Sequence, residues 1–342
     1  MAQFNAGILG ASGYTGAELV RLLVTHPGMN IAALTADRKA GMAMSDVFPQ
    51  FAHLNLPPLQ AMQDVDLGAL DLVFCCLPHG ITQEVVSTLP KSVKVVDLSA
   101  DFRLEDASAY TKWYGGAHKA PELQPEVAYG LPEVNRPAIA AARITANTGC
   151  YVATSLLPVL PLLSAGVIDP DEIIIDAKSG ATGAGRAPKE GILFTEVSTG
   201  FHAYGVAGHR HMAELDQEFS RAAGREVVCS FTPHLLPQNR GILATIYLKG
   251  QADTVQETLQ DTYEHEPFVH VLPMGQTPQT RHVVGSNLCR IGVVADRRPG
   301  RVIVVSVLDN LMKGASGQAV QNANVMLGLP ETMGLEAAPM FP

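Results

Sequence analysis

The apolar run from Phe4 to Leu9 is followed at once by Gly10-Ala11-Ser12-Gly13-Tyr14-Thr15-Gly16 and then by a helical stretch from Ala17 to Thr25. Three glycines at this spacing, set between a strand and a helix, narrow the possible folds more than any other feature of the chain. Glycine admits backbone angles closed to other residues and lets a ligand come close to the main chain. The bare amides of a helix start favour negative charge. The order is G-x-x-G-x-x-G, not the strict G-x-G-x-x-G, and it predicts a dinucleotide turn in which Gly10, Ser12, Gly13, Tyr14, Thr15 and Gly16 meet the pyrophosphate.

The next apolar runs extend that reading. Ile31 to Thr35, Leu70 to Leu77, Val93 to Leu98 and Ile144 to Ala146 alternate with helical stretches, the pattern of a parallel, doubly wound sheet. Ligands of such a sheet lie beyond the carboxyl ends of its strands, so Pro78-His79-Gly80 and Ser99-Ala100-Asp101 are turns to watch. The second strand runs into Thr35-Ala36-Asp37-Arg38-Lys39. An acid there suits a free ribose 2′-hydroxyl, whereas cations suit a 2′-phosphate; Arg38 and Lys39 point to NADP.

After Cys150 the texture changes. Tyr151 to Leu163 is apolar at helical density, with Pro158 and Pro161 expected to kink or split it because each removes a backbone donor. Ile173 to Asp176, Val227 to Phe231, Gly241 to Leu248, Ile291 to Ala295 and Arg301 to Leu308 read as a second sheet, and Lys313 to Gly328 as a helix. The expected fold class is therefore α/β: a Rossmann-type dinucleotide-binding domain plus an α/β catalytic domain with a mixed or antiparallel sheet.

Composition bounds the partners. The chain has 342 residues, 47% hydrophobic and 17% charged, and a formal charge of −9, so it has apolar surface for sizeable cores but no basic face for nucleic acid. No stretch reaches the ~18 uninterrupted apolar residues of a membrane span, and Met1 to Gly10 has no basic segment ahead of its apolar residues. Five cysteines at irregular spacing cannot all pair internally and form no zinc pattern, so no metal is expected and a reducing, cytoplasmic setting is. Low charge content suggests apolar surface left for self-association, hence a homo-oligomer, dimer or tetramer.

One cysteine differs from the rest. In Asn147-Thr148-Gly149-Cys150, a capping Thr148 would put Cys150 in the first turn of the following helix, where the helix end stabilises a thiolate. Cys75, Cys76 and Cys229 fall in apolar strands and Cys289 in a polar link; burial is the default for these four. A thiolate attacking an acyl group needs a proton partner, and His209-Arg210-His211 follows a Gly-rich approach and precedes Glu214. His211 is favoured, with His209 left open. The glycine amides, hydroxyls and guanidinium of Lys178 to Arg186 suit a phosphate or carboxylate, and Arg103 and Arg240 are further anion candidates.

Together with Leu77-Pro78-His79-Gly80, Asp97 to Leu104, Tyr129 to Glu133, Asn147 to Tyr151, Ser179 to Arg186, His209 to His211, Asn239 to Ile242 and Asp309 to Ala319, these stretches resemble the N-acetyl-gamma-glutamyl-phosphate reductases of the aspartate-semialdehyde dehydrogenase-like superfamily. The resemblance runs from residue 7 to about 325. It implies an NADP-binding domain over 1–148 completed by a C-terminal helix in 313–342, and a catalytic and oligomerisation domain over 149–312. It also implies the NADPH-dependent reduction of a small-molecule acyl phosphate on the way to ornithine and arginine, with Cys150 carrying the acyl group. Pro78, Gly180, Lys313 and Gly314 would then meet the cofactor, and Asn147 and Ser179 would join Arg103, Arg186 and Arg240 at the substrate. Reductases of aspartyl phosphate or of a carrier-bound amino-adipyl phosphate share much of this pattern and stay open, as do a Cys-His acyl hydrolase and a nucleotide-sensing regulator.

Overall fold

The computed structural model describes residues 3–340. The chain forms two compact units: one runs up to Thr148 and is resumed over Ala315–Glu336, the other comprises Gly149–Gly314 and the chain from Ala337 onward. The second crossing thus falls two residues beyond the expected 312/313 step. The expected tail also divides, because the Met340 amide donates to Val284 O at 2.8 Å within the second unit. Residues 341 and 342, part of the expected 313–342 segment, lie outside the described residues.

The first unit is built on strands β1 (Phe4–Leu9), β2 (Met29–Thr35), β3 (Leu59–Gln60), β4 (Leu72–Cys75), β5 (Lys94–Asp97), β6 (Val127–Gly130) and β7 (Ile144–Asn147). They lie in the order β3-β2-β1-β4-β5-β7-β6, and all the pairings are parallel. Strand order reverses between β1 and β4, which creates the crevice where open α/β sheets take ligands. β4 is buried along its whole length, as a parallel strand covered on both faces must be. The helix Gly317–Met326 completes the unit and is unusual in being buried and polar: Gln318, Gln321, Asn322 and Asn324 are fully enclosed. Their amide NH2 groups all donate. Asn322 donates to Gly130 O and Asn147 Oδ1, Gln321 to Glu133, Asn324 to Met333 O, and Gln318 to Thr148 Oγ1. Hydrogen bonds fix the register of this helix on the sheet. The turn before it, Met312–Ser316, is a π-helical turn rather than the start of the plain helix expected from Lys313.

The second unit holds β8 (Ile174–Gly180), β9 (His202–Ala203), β10 (Ser230–Leu236), β11 (Ile242–Lys249), β12 (Val269–Val271), β13 (Cys289–Ala295) and β14 (Arg301–Leu308). The order is β12-β13-β14-β11-β8-β10-β9; β8 with β10 and β12 with β13 are parallel and the other neighbours antiparallel, so the sheet is mixed. Alternation is plain in β11, where Ile242, Ala244, Ile246 and Leu248 are buried and Leu243, Thr245 and Tyr247 are half-buried.

The helix Cys150–Ser164 packs on this sheet and is buried nearly all round, the behaviour of an apolar core helix. It is not split by its prolines. Pro161 cannot donate to the Leu157 carbonyl four residues earlier, and the Tyr263 hydroxyl, from the helix Ala252–Tyr263, donates to that carbonyl instead. Tertiary structure thus meets the demand that the proline creates. Substituting Tyr263→Phe leaves the Leu157 carbonyl buried without that donor. Loss of ~1–3 kcal/mol is expected, read as a lower denaturant midpoint at unchanged slope; an unmoved midpoint contradicts this account of the prolines.

Candidate active site

In the first unit the glycines serve different ends. Gly10 sits at φ +86°, and a Cβ there would run into the Cys76 carbonyl, because the ends of β1 and β4 lie against each other. Gly16 lets the helix Tyr14–Leu23 close on the turn, since its Cβ would stand 2.6 Å from Ala11 Cα. Gly13 is different. It is the N-cap at φ −87°, and its Cβ would meet only Gly10 O, at 3.7 Å. Packing within the protein does not require glycine there, so the bare backbone is left for a ligand to approach. Ala17 makes the first helical hydrogen bond, to Gly13 O, so the Tyr14, Thr15 and Gly16 amides precede the helical ladder. Ser12, Gly13, Tyr14 and Thr15 are partly accessible. A pyrophosphate fits this cradle. Arg38 and Lys39 are exposed on the turn beyond β2.

Across the switch point, Asp101 is fully buried and accepts from the Gly80 amide at 2.8 Å and the Thr82 amide at 2.9 Å, with His79 Nδ1 at 2.6 Å. Neighbouring Asp97 accepts from the Ser99 amide and hydroxyl. Burial, then the Asp101 charge, pushes the Asp97 carboxyl up to about 7 against those hydrogen bonds and the Arg103 charge. Pro78 is exposed on this turn. Arg103 is only 8% exposed and donates to Asn147 O and Leu98 O. The Asn147 amide is engaged by Ala315 O and Asn322.

In the second unit, Cys150 is the first residue of its helix. The expected cap is corrected: Gly149 is the N-cap, and the Thr148 hydroxyl accepts from Gln318. The Gly149 amide instead donates to Glu214 Oε1 at 3.0 Å, and Glu214 is fully buried on the helix His211–Ala223. The start of the thiol helix is thereby tied to the helix that opens with His211. Tyr151 confirms the proximity: its ring centroid lies 6.0 Å from both the His209 and the His211 rings, which are 4.7 Å apart. The approach to the histidines is tightly wound, with Gly205 at φ 56° and Ala207 at φ 53°, the one non-glycine at positive φ among the described residues. Such backbone persists where surrounding structure enforces it.

The two histidines are not equivalent. His209 Nδ1 accepts the His211 amide at 3.2 Å, and burial, helped by the Arg210 charge, lowers His209 to about 4. It is therefore neutral at physiological pH, with its proton on Nε2. Tyr204 donates to Tyr151 Oη at 3.2 Å and Tyr151 to His234 O at 2.8 Å. Burial pushes Tyr204 up to about 12 and Tyr151 higher still, the Cys150 sulfur adding to both shifts. Both are neutral dipoles at working pH.

The anion-binding segment divides. Ser179 is 2% exposed and its hydroxyl donates to Gly180 O; a Cβ at Gly180 would stand 2.7 Å from Asn239 O. Arg186 is exposed beyond the Ala181–Ala184 turn. Lys178 turns to the outer face of the sheet and pairs with Asp176 at 2.7 Å. Arg240 reaches Asp309 at 3.4 Å. Asp309 also accepts from the Gly285 amide, while Asn310 accepts from Gly241 and donates to Thr182. Lys313 is fully buried with Nζ 5.9 Å from the Phe268 ring centre, and a Cβ at Gly314 would lie 2.9 Å from Cys150 Cβ. Glycine at 314 makes room for the cysteine.

Of the other cysteines Cys75, Cys229 and Cys289 are buried, and Cys76, just beyond β4, is half-buried. Cys75 is pushed up, Cys76 to about 12, and Cys229 is likewise raised. Cys229 precedes β10, and Cys289, expected in a link, opens β13 and is buried. Nothing in the sequence assigns a role to Glu214, Asp101 or His79, because their partners are too far along the chain for spacing to disclose.

Two family profiles match: semialdehyde dehydrogenase, NAD binding domain, over residues 5–142, and semialdehyde dehydrogenase, dimerisation domain, over residues 150–310. Among solved structures, aspartate semialdehyde dehydrogenase II complexed with ASA from Vibrio cholerae superposes with a TM-score of 0.72 at 16% identity, covering 96% of this chain and 99% of that one. Aspartate semialdehyde dehydrogenase with NADP from Candida albicans gives 0.70 at 18% identity, covering 95% and 99%. These show the fold. Curated relatives named N-acetyl-gamma-glutamyl-phosphate reductase are 61% identical in Afipia carboxidovorans, over 96% of both chains, and 58% identical in Rhodospirillum rubrum, over 99% of both. With that identity held along nearly its whole length, the chain belongs to the N-acetyl-gamma-glutamyl-phosphate reductase family.

Proposed function

We propose that the protein reduces N-acetyl-glutamyl 5-phosphate to N-acetyl-glutamate 5-semialdehyde and phosphate with NADPH, through a thioester on Cys150. The observation that carries this reading is Cys150 as the first residue of a buried helix, tied through Gly149 and Glu214 to the helix that begins with His211. The positive helix end favours the thiolate. Its sulfur attacks the acyl carbon, the bond from that carbon to the phosphate oxygen breaks, and phosphate leaves. His211 takes the thiol proton and passes it to the departing phosphate. NADPH supplies, when bound, the hydride for the acyl carbon. The oxygen of that carbon then collapses back to a carbonyl, the carbon–sulfur bond breaks, and the aldehyde leaves with the sulfur restored. A thioester divides one hard substitution into two easier ones.

Gly10, Ser12, Gly13, Tyr14, Thr15 and Gly16 would hold the pyrophosphate, Arg38 and Lys39 the 2′-phosphate, and Arg186 or Arg240 an anionic part of the substrate. His211 rather than His209 is the acid and base in this reading, because His209 is held neutral down to about pH 4 and its Nδ1 is taken by the His211 amide. A cytoplasmic setting is part of the same reading: a working thiol needs a reducing compartment, and none of the five cysteines is joined in a disulfide in the structure. No helix among the described residues is long and apolar enough to cross a membrane.

The reverse assay tests the reaction. N-acetyl-glutamate semialdehyde and NADP should give sustained NADPH formation, beyond one equivalent per active site, only when inorganic phosphate is present, and Cys150→Ser should lose ~10³-fold or more in kcat while still binding NADPH. The double change Arg38→Ala and Lys39→Ala should weaken NADP ~10–100-fold without weakening NAD. Multiple turnovers of NADPH formation without phosphate, or normal turnover by Cys150→Ser, contradict the mechanism.

The histidines separate by titration and by substitution. His209 should show an imidazole midpoint near 4 by NMR. Its folded value lies below the ordinary one, so its contribution to stability is complete above about pH 6.5 and declines as the pH falls toward 4. His211→Asn should cost ~10²–10⁴-fold in kcat and His209→Asn much less. The reverse ranking contradicts the assignment.

A homo-oligomer completes the reading. The match to a dimerisation domain and the half-buried outer face of the mixed sheet, with Leu243, Thr245 and Tyr247, support docking of a second copy there. Light scattering should give a mass above the 36.3 kDa of one chain, and a monomer at micromolar concentration rejects it.

A further inference from the structure

The turn after β4 carries a degree of internal bracing that its own backbone does not require. Asp101, with no exposed surface, accepts from the Gly80 amide at 2.8 Å and the Thr82 amide at 2.9 Å, and His79 Nδ1 lies 2.6 Å from its carboxylate. The Asp101 carbonyl accepts from the Gln83 side chain at 2.7 Å, whose own oxygen accepts the Lys119 amide. The Asp101 amide is held by Ser99 Oγ, which donates in turn to Asp97. The Lys119 ammonium donates to Gly80 O, and the His79 ring packs on Tyr114 with centroids 4.4 Å apart. The polar groups of the turn are thus drawn inward. Pro78 is exposed, and Gly80, at φ +87°, would have nothing within 4 Å of a Cβ.

This turn stands at the switch point. The Cys76 amide donates to Leu9 O at 2.8 Å, and Gly10 abuts the Cys76 carbonyl, so the turn after β4 adjoins the glycine turn after β1. A dinucleotide whose pyrophosphate lies on the glycine turn and whose 2′-phosphate reaches Arg38 and Lys39 beyond β2 must lay its other half toward β4. We propose that Asp101 is a positioning residue for the nicotinamide half of that dinucleotide: its buried carboxylate holds Pro78-His79-Gly80 in the shape on which the nicotinamide rests. The proposal builds on the NADPH reading above and adds a residue to it. A buried carboxylate is suited to the task, because several charge-assisted hydrogen bonds converge on one rigid point that water does not loosen.

The test compares two ligands on the full chain. NADPH carries the nicotinamide half; adenosine 2′,5′-bisphosphate carries only the other end. Asp101→Asn replaces one accepting oxygen by an amide donor facing existing donors. It should weaken NADPH ~10-fold or more by fluorescence titration and leave adenosine 2′,5′-bisphosphate within ~2-fold by calorimetry. A merely structural role would weaken both together, and that parallel loss overturns the proposal, as does unchanged NADPH binding. If Asp101→Asn fails to fold, His79→Ala, which removes one of the braces and leaves the carboxylate, carries the same comparison. It should weaken NADPH and spare the fragment, and equal effects on both ligands overturn the proposal. A wild-type protein that binds neither ligand overturns the NADPH reading itself and this proposal with it; a wild type that binds both with an indifferent Asp101→Asn overturns only the role of Asp101.

Discussion

Glu214 carries a carboxylate with no solvent contact, and the Gly149 amide donates to it from the first step of another helix. That hydrogen bond joins the starts of two helices of the second unit. A buried charged acceptor cannot give up its donor cheaply, because removing the partner leaves the desolvation cost uncompensated. The residue before the thiol is therefore fixed to the helix that begins with His211. Around this point the chain accepts unfavourable local choices: Ala207 at positive φ, a glycine at 314 to clear Cys150, and a π-helical turn over Met312–Ser316. Features of this sort gather where function constrains backbone.

The same logic governs the first unit, where Asp101 takes the part that Glu214 takes in the second. Asp101 accepts the main-chain amides of Gly80 and Thr82, and Glu214 that of Gly149. Apolar packing alone would not set these segments within a fraction of an ångström, since hydrophobic burial has no direction. Directed hydrogen bonds to a rigid acceptor do. The buried amides of the helix Gly317–Met326 show the same preference for polar specification within the first unit.

Much of the fold was legible in the chain itself. β14 spans Arg301–Leu308, the run the apolar pattern marked, and the glycine turn lies between a strand and a helix as its spacing required. Local chemistry decides such elements, so one window of sequence is enough. What could not be read involves partners distant in the chain. Pro161 looks like a helix breaker until Tyr263 supplies the donor it lacks from more than a hundred residues away. Thr148 looks like a cap, but Gln318 claims its hydroxyl and Gly149 takes the position. Lys178 belongs by composition to an anion-binding loop, yet the two-residue period of β8 turns it outward to Asp176. The difference between His209 and His211 is likewise tertiary, set by burial and by one amide.

The central claim is that the sulfur of Cys150 carries the acyl group. Intact-mass spectrometry addresses it directly: protein incubated with N-acetyl-glutamate semialdehyde and NADP, without phosphate, is quenched in acid and weighed. The account requires one added N-acetyl-glutamyl group, located on the peptide that contains Cys150 and discharged when phosphate is supplied before the quench. An enzyme that turns over with phosphate but never shows that adduct, or shows it on another residue, contradicts the account.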